Sequence, residues 1–373
     1  MSLHICILAA GQSTRMKSRL SKMVHPLCGK PLIWHVHATA AELQPKTLGI
    51  VVGFQRDQIM EVFNGKEVEF VVQEQQLGTA HAVQEFLKQF PSATGTLLVL
   101  SGDTPLLRVD TLRELIDLHT REKVSVSLLT TELSNPKGYG RIVRNKASFI
   151  EKIVEEADAS PEKKLIQEVN AAIYAFNIQK LREILPLVHT NNKQKEYYLP
   201  DVIELTLKKK GTVLPRLAPA EEVIGINNRL ELADAARILR KRINERWMLN
   251  GVTMIDPERT YIDTEVRIGS DVVIYPNVCL EGSTMIGSDC TIYSNCRITD
   301  SYIDSQCVIY ESCSVEAAHL GSGVKIGPFA RLRPETVLGK GVRIGNFVEL
   351  KKTSVGEGTK ANHLAYLGDA TIG

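Results

Sequence analysis

From residue 262 onward an aliphatic side chain returns every six positions, at Ile262, Ile268, Ile274, Leu280, Ile286, Ile292 and Ile298. Neither the 3.6-residue period of a helix nor the two-residue period of a flat strand produces that spacing. After occasional five-residue steps the series continues through Ile303, Ile309, Val315, Leu320, Ile326, Leu332, Leu338, Ile344, Leu350 and Val355. Two positions before each marker stands a small or β-branched residue, among them Val266, Thr284, Cys290, Cys296, Ser301, Cys307, Cys313 and Ala330. Each hexad therefore carries two inward slots. Three hexads per turn close a triangular prism whose sides are short parallel strands, with like positions stacked about 4.8 Å apart. The spacing predicts a β-helix. A thiol in the small slot behaves as a compact apolar group, which accounts for Cys290, Cys296, Cys307 and Cys313. Cys6 falls in a predicted strand, while Cys28 and Cys279 carry no motif. With seven cysteines and no CxxC pair, neither a disulfide framework nor a zinc knuckle is expected.

A chain of 373 residues has room for more than this one unit. Its 43% hydrophobic and 24% charged residues are ordinary for a globular protein, and a net charge of +2 gives no global reason to invoke nucleic acid or a membrane surface as partner. Met1 to Gly11 holds no basic leader, and no apolar run approaches the roughly 20 residues that span a bilayer. A cytoplasmic protein is expected. Up to about residue 226, apolar runs alternate with helix-like segments, an α/β pattern. Strands are predicted at His4 to Leu8, Leu48 to Val52, Val68 to Val72, Thr96 to Leu100, Val124 to Thr130 and Ala172 to Phe176. Helices are predicted at Ile33 to Leu43, Thr79 to Gln89, Val109 to Arg121 and Ile178 to Leu187. Such alternation gives a largely parallel, Rossmann-like sheet, with ligands beyond the C-terminal ends of its strands. Asn228 to Asn250 reads as one long connecting helix, capped by Asn227 or Asn228, stopped by Gly251, and buried through Leu230, Ala233, Ala235, Ile238, Leu239, Ile243 and Trp247.

The segment LAAGQSTRMKSRLSK, Leu8 to Lys22, follows the first strand directly. Gly11 lets the backbone turn closely around a ligand, the turn amides with the Ser13 and Thr14 hydroxyls can cradle phosphate or a base edge, and Arg15 and Lys22 add positive charge. A triphosphate needs that combination. An ordinary βα turn with surface basic residues is the alternative reading of the same segment.

LAAG with TRM and a following Lys, then QLGT, SGD before TP, GYGRIV, IVEE, EYY and GINNRL stand in the order found in bacterial sugar-phosphate nucleotidylyltransferases. With the long helix and hexapeptide coil behind them, the whole chain resembles the bifunctional N-acetylglucosamine-1-phosphate uridylyltransferase and glucosamine-1-phosphate N-acetyltransferase family. The resemblance implies a nucleotidyltransferase domain at 1–227, a linker helix at 228–251 and a left-handed β-helix acetyltransferase domain at 252–373. It implies that Leu8, Ala9, Ala10, Gly11, Lys22, Gln73, Gly78 and Thr79 bind the nucleotide. Gln73, offering both a donor and an acceptor, suits the imide edge of uracil. Gly102, Gly140, Glu155, Asn170 and Asn227 would bind the sugar phosphate, with Tyr139 and Glu196 to Tyr198 near them. Asp103 and Asn227 would hold Mg²⁺, with Arg15 and Lys22 as the catalytic cations. In the coil, ARLRP, the paired Lys351 and Lys352, and NHLAYLGD resemble the acetyltransferase site, with His363 as general base and Arg333, Lys351 and Tyr366 on the substrate. The implied substrates are UTP, N-acetylglucosamine-1-phosphate, glucosamine-1-phosphate and acetyl-CoA, in a homotrimer.

The chain departs from the family pattern at four places. Ser13 stands where a second glycine is usual, Ser21 replaces the Pro before the catalytic Lys, Ser101 precedes Gly102 and Asp103 in place of Tyr, and Ala171 and Ala172 replace Thr-Gly. The chain also ends at Gly373 within a hexad, where family members continue, so the acetyl-transfer half is expected to be incomplete. Another sugar-1-phosphate nucleotidylyltransferase with a hexapeptide tail, or a weakened regulatory homologue, are the competing expectations.

Overall fold

The computed structural model describes residues 2–12 and 14–373, so the expectation for the Ser13 hydroxyl lies outside the described residues. The chain divides into two units: residues 1–26 with 31–235, and residues 27–30 with 236–373.

The first unit is built on strands β1 (Leu3–Ala9), β2 (Thr47–Val52), β3 (Glu69–Val72), β4 (Thr96–Ser101), β5 (Val126–Glu132), β6 (Arg141–Arg144), β7 (Ile150–Val154), β8 (Glu168–Asn177) and β9 (Val213–Leu217). Their order is β9-β5-β8-β4-β1-β2-β3, with β6 paired to β8 and β7. The β4-β1-β2-β3 half is parallel, because each crossover carries a helix: α1 (Leu32–Ala41), α2 (Thr79–Gln89) or a shorter turn. β8 runs antiparallel to β4 and β5, so the sheet is less parallel than the alternation suggests. Two apolar layers cover it. Cys6, Ala10, Val51, Phe86, Leu97 and Val99 lie in one, and Ile5, Ile7, Ala9, Ile50, Leu98 and Leu100 in the other. The alternation along β1 thus sends Ala9 to the opposite face from Leu8 and Ala10.

The sequence reading misses β6, β7, β9 and helix α5 (Asp201–Lys208), shortens β8, and runs helix α4 (Ile178–Ile184) on to Leu187. β6 and β7 form a ribbon carrying Arg144, Glu151 and Lys152, whose exposed positions hide any long apolar run. α5 spans eight residues, too few for a firm period. Helix α3 (Val109–Arg121) and α2 lie where the sequence puts them, since both are strongly two-faced and closed by basic last turns.

In the second unit three parallel sheets of seven two- to four-residue strands stack in register. Partners lie 18 residues apart early in the coil, as Cys279 and Arg297 do, and 17 apart where a five-residue step shortens the turn, as with Arg297 and Ser314. This is the left-handed parallel β-helix. Every marker residue from Ile262 to Val355 is buried, and so is every small-slot residue from Val266 to Thr353. Polar atoms in the small slot are satisfied internally: Thr284 Oγ1 donates to the Glu281 carbonyl at 2.7 Å, Thr336 Oγ1 to Arg333 at 2.7 Å, and Cys296 Sγ to Tyr310 at 3.0 Å. All the cysteines are free thiols. Between the slots the chain turns each corner through a left-handed residue, among them Asp271, Asn277, Asp289, Asn295 and Gly323. Asn, Asp and Gly accept that conformation with least cost.

Helix α6 (Arg229–Leu249) bears the expected cap, with Asn228 Oδ1 accepting from the amides of Leu230 and Glu231 at 2.9 and 3.0 Å. Its buried side is narrower than expected. Ile243 is buried, and Leu239 and Trp247 pack against the same core, a stripe at i, i+4 and i+8. Leu230, nine residues before Leu239, falls about 180° round the helix and is 75% exposed, and Ala233 is exposed with it. We expect Ile298→Ala to lower stability by about 2–5 kcal/mol through loss of a fully packed side chain, and Leu230→Ala to change it by no more than about 0.5 kcal/mol, as measured by urea unfolding followed by circular dichroism.

Candidate active site

An open cavity of about 650 Å³ lies in the first unit, where β1 and β4 end. Leu8, Ala10, Gly11, Arg15 and Lys22 from the first βα segment line it, as do Gln73, Gly78, Thr79, Asp103, Glu155 and Asn170. These segments meet because their strands are neighbours in the sheet. Gly102 N donates to Leu8 O at 2.9 Å, tying the end of β4 to β1, and a β-carbon at Gly102 would press on Leu8 O and Ile33 at 3.0 Å. Ala9, also expected among the nucleotide-binding residues, turns its methyl group into the opposite layer.

Lys22 Nζ stands 2.5 Å from Asp103 Oδ2 and 3.1 Å from Asn227 Oδ1, and Arg15 Nη2 donates to the same Asn227 oxygen at 2.9 Å. One carboxylate oxygen and one amide oxygen thus converge on a single cationic group. Hard oxygen donors of this kind could hold a divalent ion such as Mg²⁺. Ser101 Oγ donates to Asp103 Oδ1 at 2.6 Å, so the serine that departs from the family pattern fixes the carboxylate's other oxygen. Burial works to raise the Asp103 pKa, but the Lys22 ammonium and the Ser101 hydroxyl outweigh it and hold the carboxyl below its ordinary value. The backbone closes the cluster: Ile226 N donates to Asp103 O at 2.9 Å, and Asn227 N to Glu231 Oε2 at 2.6 Å.

Gly140, Glu155 and Asn170 come together as expected from the pattern. Asn170 N donates to Gly140 O at 2.8 Å, and a β-carbon at Gly140 would stand 2.9 Å from Glu155 Oε1, so only glycine lets that carboxylate come so close. Asn170 is anchored through Nδ2 to Tyr174 Oη at 2.6 Å and through Oδ1 to the Ala172 amide at 3.1 Å. Ala172 itself sits at φ +56°, inside the irregularity of β8 between Asn170 and Tyr174. Glycine would adopt this conformation more readily than alanine, at a difference of about 1 kcal/mol. Glu155 is pushed up to about 7 by burial and then by Asp201 and Asp158, and Asp201 to about 6 by burial, Glu204 and Asp158.

Gln73 differs from expectation. Its Nε2 donates to Gly78 O at 3.0 Å and to His81 Nδ1 at 2.9 Å, which spends its donors inside the protein and leaves Oε1 for a ligand. Gly78, at φ +115°, allows this turn to touch the Tyr197 backbone, where any β-carbon would clash. Gln76 of the QLGT motif also lines the cavity, as do Tyr174, Gln194 and Pro200, which carry no sequence signal; backbone bonds from Tyr197 to Leu77 and from Ala80 to Tyr197 bring 194–200 beside residue 78.

In the coil, Tyr366 stacks in register on Glu349, and Lys351 on Gly368. Arg333 Nη1 donates to Glu349 Oε1 at 3.3 Å, and Lys351 Nζ lies 3.6 Å from Asp369 Oδ2. Arg333, Lys351 and Tyr366 therefore share adjacent coils of one sheet edge, and His363 occupies the exposed bend just before Tyr366.

A carboxyl whose pKa is raised on folding keeps a proton that the unfolded chain has released. Its contribution to stability is fully present below about pH 4.5 and is lost as pH rises through about 7. Glu155→Gln is expected to flatten the fall in stability across that window and to stabilise the protein above it by on the order of 1–3 kcal/mol, read from thermal melts at pH 5 and pH 8.

Comparison with known proteins agrees with both halves. Residues 5–171 match the MobA-like NTP transferase domain, and residues 248–350 the LbH domain of the EIF2B epsilon subunit. The bifunctional protein GlmU of Thermoanaerobacter pseudethanolicus is 47% identical over 98% of this chain and 80% of its own length. Those of Geobacillus sp. and Listeria monocytogenes serotype 4b are 47% and 45% identical over 99% of this chain and 80% and 81% of their own. Among solved structures, a CMP:2-keto-3-deoxy-manno-octonic acid synthetase complexed with CTP matches 65% of the chain and all of its own, at TM-score 0.51 and 16% identity, a likeness of fold. The cation-bridged cavity, the hexad coil and these near-full-length identities agree: the chain belongs to the GlmU family of bifunctional enzymes and is a nucleotidyltransferase.

Proposed function

We propose that the first unit joins UTP to N-acetylglucosamine-1-phosphate, releasing pyrophosphate and UDP-N-acetylglucosamine. The observation that carries this reading is the convergence of Lys22, Asp103, Asn227 and Arg15 in the same cavity as Gln73 and the Gly140, Glu155 and Asn170 group. Two sources of positive charge and a metal-type donor pair suit phosphates, and a carboxylate with an amide suits sugar hydroxyls and an acetamido group.

An oxygen of the sugar phosphate attacks the α-phosphorus of UTP in line, a new P–O bond forms, and the bond to the β-phosphate breaks with its electron pair leaving on pyrophosphate. No protein nucleophile is required. Asp103 and Asn227 would hold Mg²⁺, which supplies charge that offsets repulsion between the two phosphates. Arg15 and Lys22 neutralise charge on the α-phosphate and leaving group, and once phosphate oxygens arrive the Lys22 ammonium has partners besides Asp103. Leu8, Ala10, Gly11 and Gln73 hold the base, while Glu155 and Asn170 orient the sugar. Rate enhancement comes from positioning and fixed charge.

The second unit, in this reading, transfers an acetyl group from acetyl-CoA to glucosamine-1-phosphate. His363 takes the proton from the attacking amine, Arg333 and Lys351 bind the phosphate, and Tyr366 flanks the sugar. Assembly as a homotrimer fits the outward row Met285, Tyr302, His319 and Val337 on one sheet of the coil, in which three of the four side chains are exposed large hydrophobics. In this reading both reactions run in the cytoplasm, on charged nucleotide and sugar-phosphate substrates. No helix among the described residues is long and apolar enough to cross a membrane.

Lys22→Ala and Asp103→Ala are each expected to lower uridylyl transfer by about two to four orders of magnitude, measured as Mg²⁺-dependent pyrophosphate release from UTP and N-acetylglucosamine-1-phosphate. Near-normal turnover in either would end the assignment. His363→Ala should cut acetylation of glucosamine-1-phosphate by about 10²- to 10⁴-fold, followed by thiol release from acetyl-CoA.

A further inference from the structure

Gln73 is 2% exposed, so its amide orientation is set by the protein around it rather than by solvent. An amide carries two donor hydrogens on one side and only lone pairs on the other. Here the nitrogen faces two acceptors, the Gly78 carbonyl at 3.0 Å and His81 Nδ1 at 2.9 Å. Nδ1 accepts only when the ring hydrogen sits on Nε2, and Nε2 lies 3.2 Å from Glu85 Oε1, a carboxylate with no hydrogen to give. Glu85 is in turn paired with Lys88 Nζ at 2.6 Å. The chain of partners runs from Lys88, Glu85 and His81 on α2 to Gln73 just past the end of β3, and each link fixes the polarity of the next. Turning the Gln73 amide over would set Oε1 against the Gly78 carbonyl and the Nδ1 lone pair, two repulsive contacts in place of two hydrogen bonds.

We propose that His81, with Glu85 behind it, is a positioning residue that locks Gln73 as an acceptor toward the cavity and thereby selects a base with a ring N–H over one with a ring lone pair. Uracil presents an N–H at N3, where cytosine presents only an acceptor. Oε1 therefore pairs with the first and repels the second, a discrimination that costs the wrong base an unpaired buried group. The proposal rests on the reading of the substrate as a uridine nucleotide. It assigns the choice between two pyrimidines to a side chain held in place from helix α2. Gly78 supplies the other acceptor through its backbone, which substitution of that residue's side chain does not remove, so His81 is the adjustable half of the lock.

The test compares kcat and KM for UTP and CTP with N-acetylglucosamine-1-phosphate and Mg²⁺, using the full chain. His81→Phe is expected to raise KM for UTP about tenfold with kcat changed no more than about twofold, and to lower the UTP-to-CTP ratio of kcat/KM by about tenfold or more. His81→Asn, whose Oδ1 takes the place of Nδ1 as acceptor, is expected to hold that ratio within about threefold of the wild type. Glu85→Leu, which leaves the ring but frees its tautomer, should shift the ratio in the same direction as His81→Phe, and it decides the matter if the phenylalanine variant does not fold. A wild-type ratio in the folded His81→Phe or, failing that, in Glu85→Leu overturns the orienting role. A wild-type enzyme with no preference for UTP instead overturns the uridine assignment on which the proposal stands.

Discussion

The Lys22 ammonium bridges Asp103 and Asn227, and the first unit is organised around that contact. It joins three places far apart in the chain: the turn after β1, the end of β4 and the segment leading into α6. None of the three side chains holds its geometry alone. Asp103 is braced by Ser101, Asn227 by Arg15 and the carboxylate of Glu231, and the strand ends by the bond from Gly102 to Leu8. A buried carboxylate without that cation would be costly, so the charge pattern and the fold around it are mutually dependent.

The same cavity carries two electrostatic characters. Arg15 and Lys22 surround the oxygen donors suited to a metal and phosphates, while Glu155 and Glu196 line the cavity as acidic groups whose pKa values are raised mainly by burial, with the Asp201 charge acting on Glu155 from outside the lining. Glu155 is perturbed by Asp201 and Asp158, whereas Asp103 is perturbed by Lys22, so the two groups titrate under different neighbours. Arg141, buried and paired with Glu156, offsets part of the negative charge around Glu155.

The β-helix reaches regularity by another route. Its stability depends on identical slots being filled in successive coils, and on corners that admit a left-handed residue. Hydroxyl and thiol groups enter the small slot because each has a backbone carbonyl within reach. Phe329 and Phe347 stack at a corner where their backbones are left-handed, 5.2 Å apart, so packing between coils offsets the conformational cost there.

The sequence by itself determined the second unit almost residue by residue, since a six-residue period allows one inward assignment and no shift in register without exposing every aliphatic side chain. It also determined the α2 and α3 helices and the parallel core strands, and it nominated the charged residues that the fold brings together in one cavity, because apolar runs and ordered motifs are local signals. Tertiary structure alone decided the antiparallel course of β8, the β6 and β7 ribbon and the narrow face of α6, since these depend on which neighbour covers a half-polar segment. It likewise decided that Ala9 turns away from the cavity while Ala10 faces it, and that Gln73 spends its donors on Gly78 and His81. Pairing and orientation are set by partners distant in the chain, and residue types can announce a hydrogen-bonding group without saying which of its sides is left free.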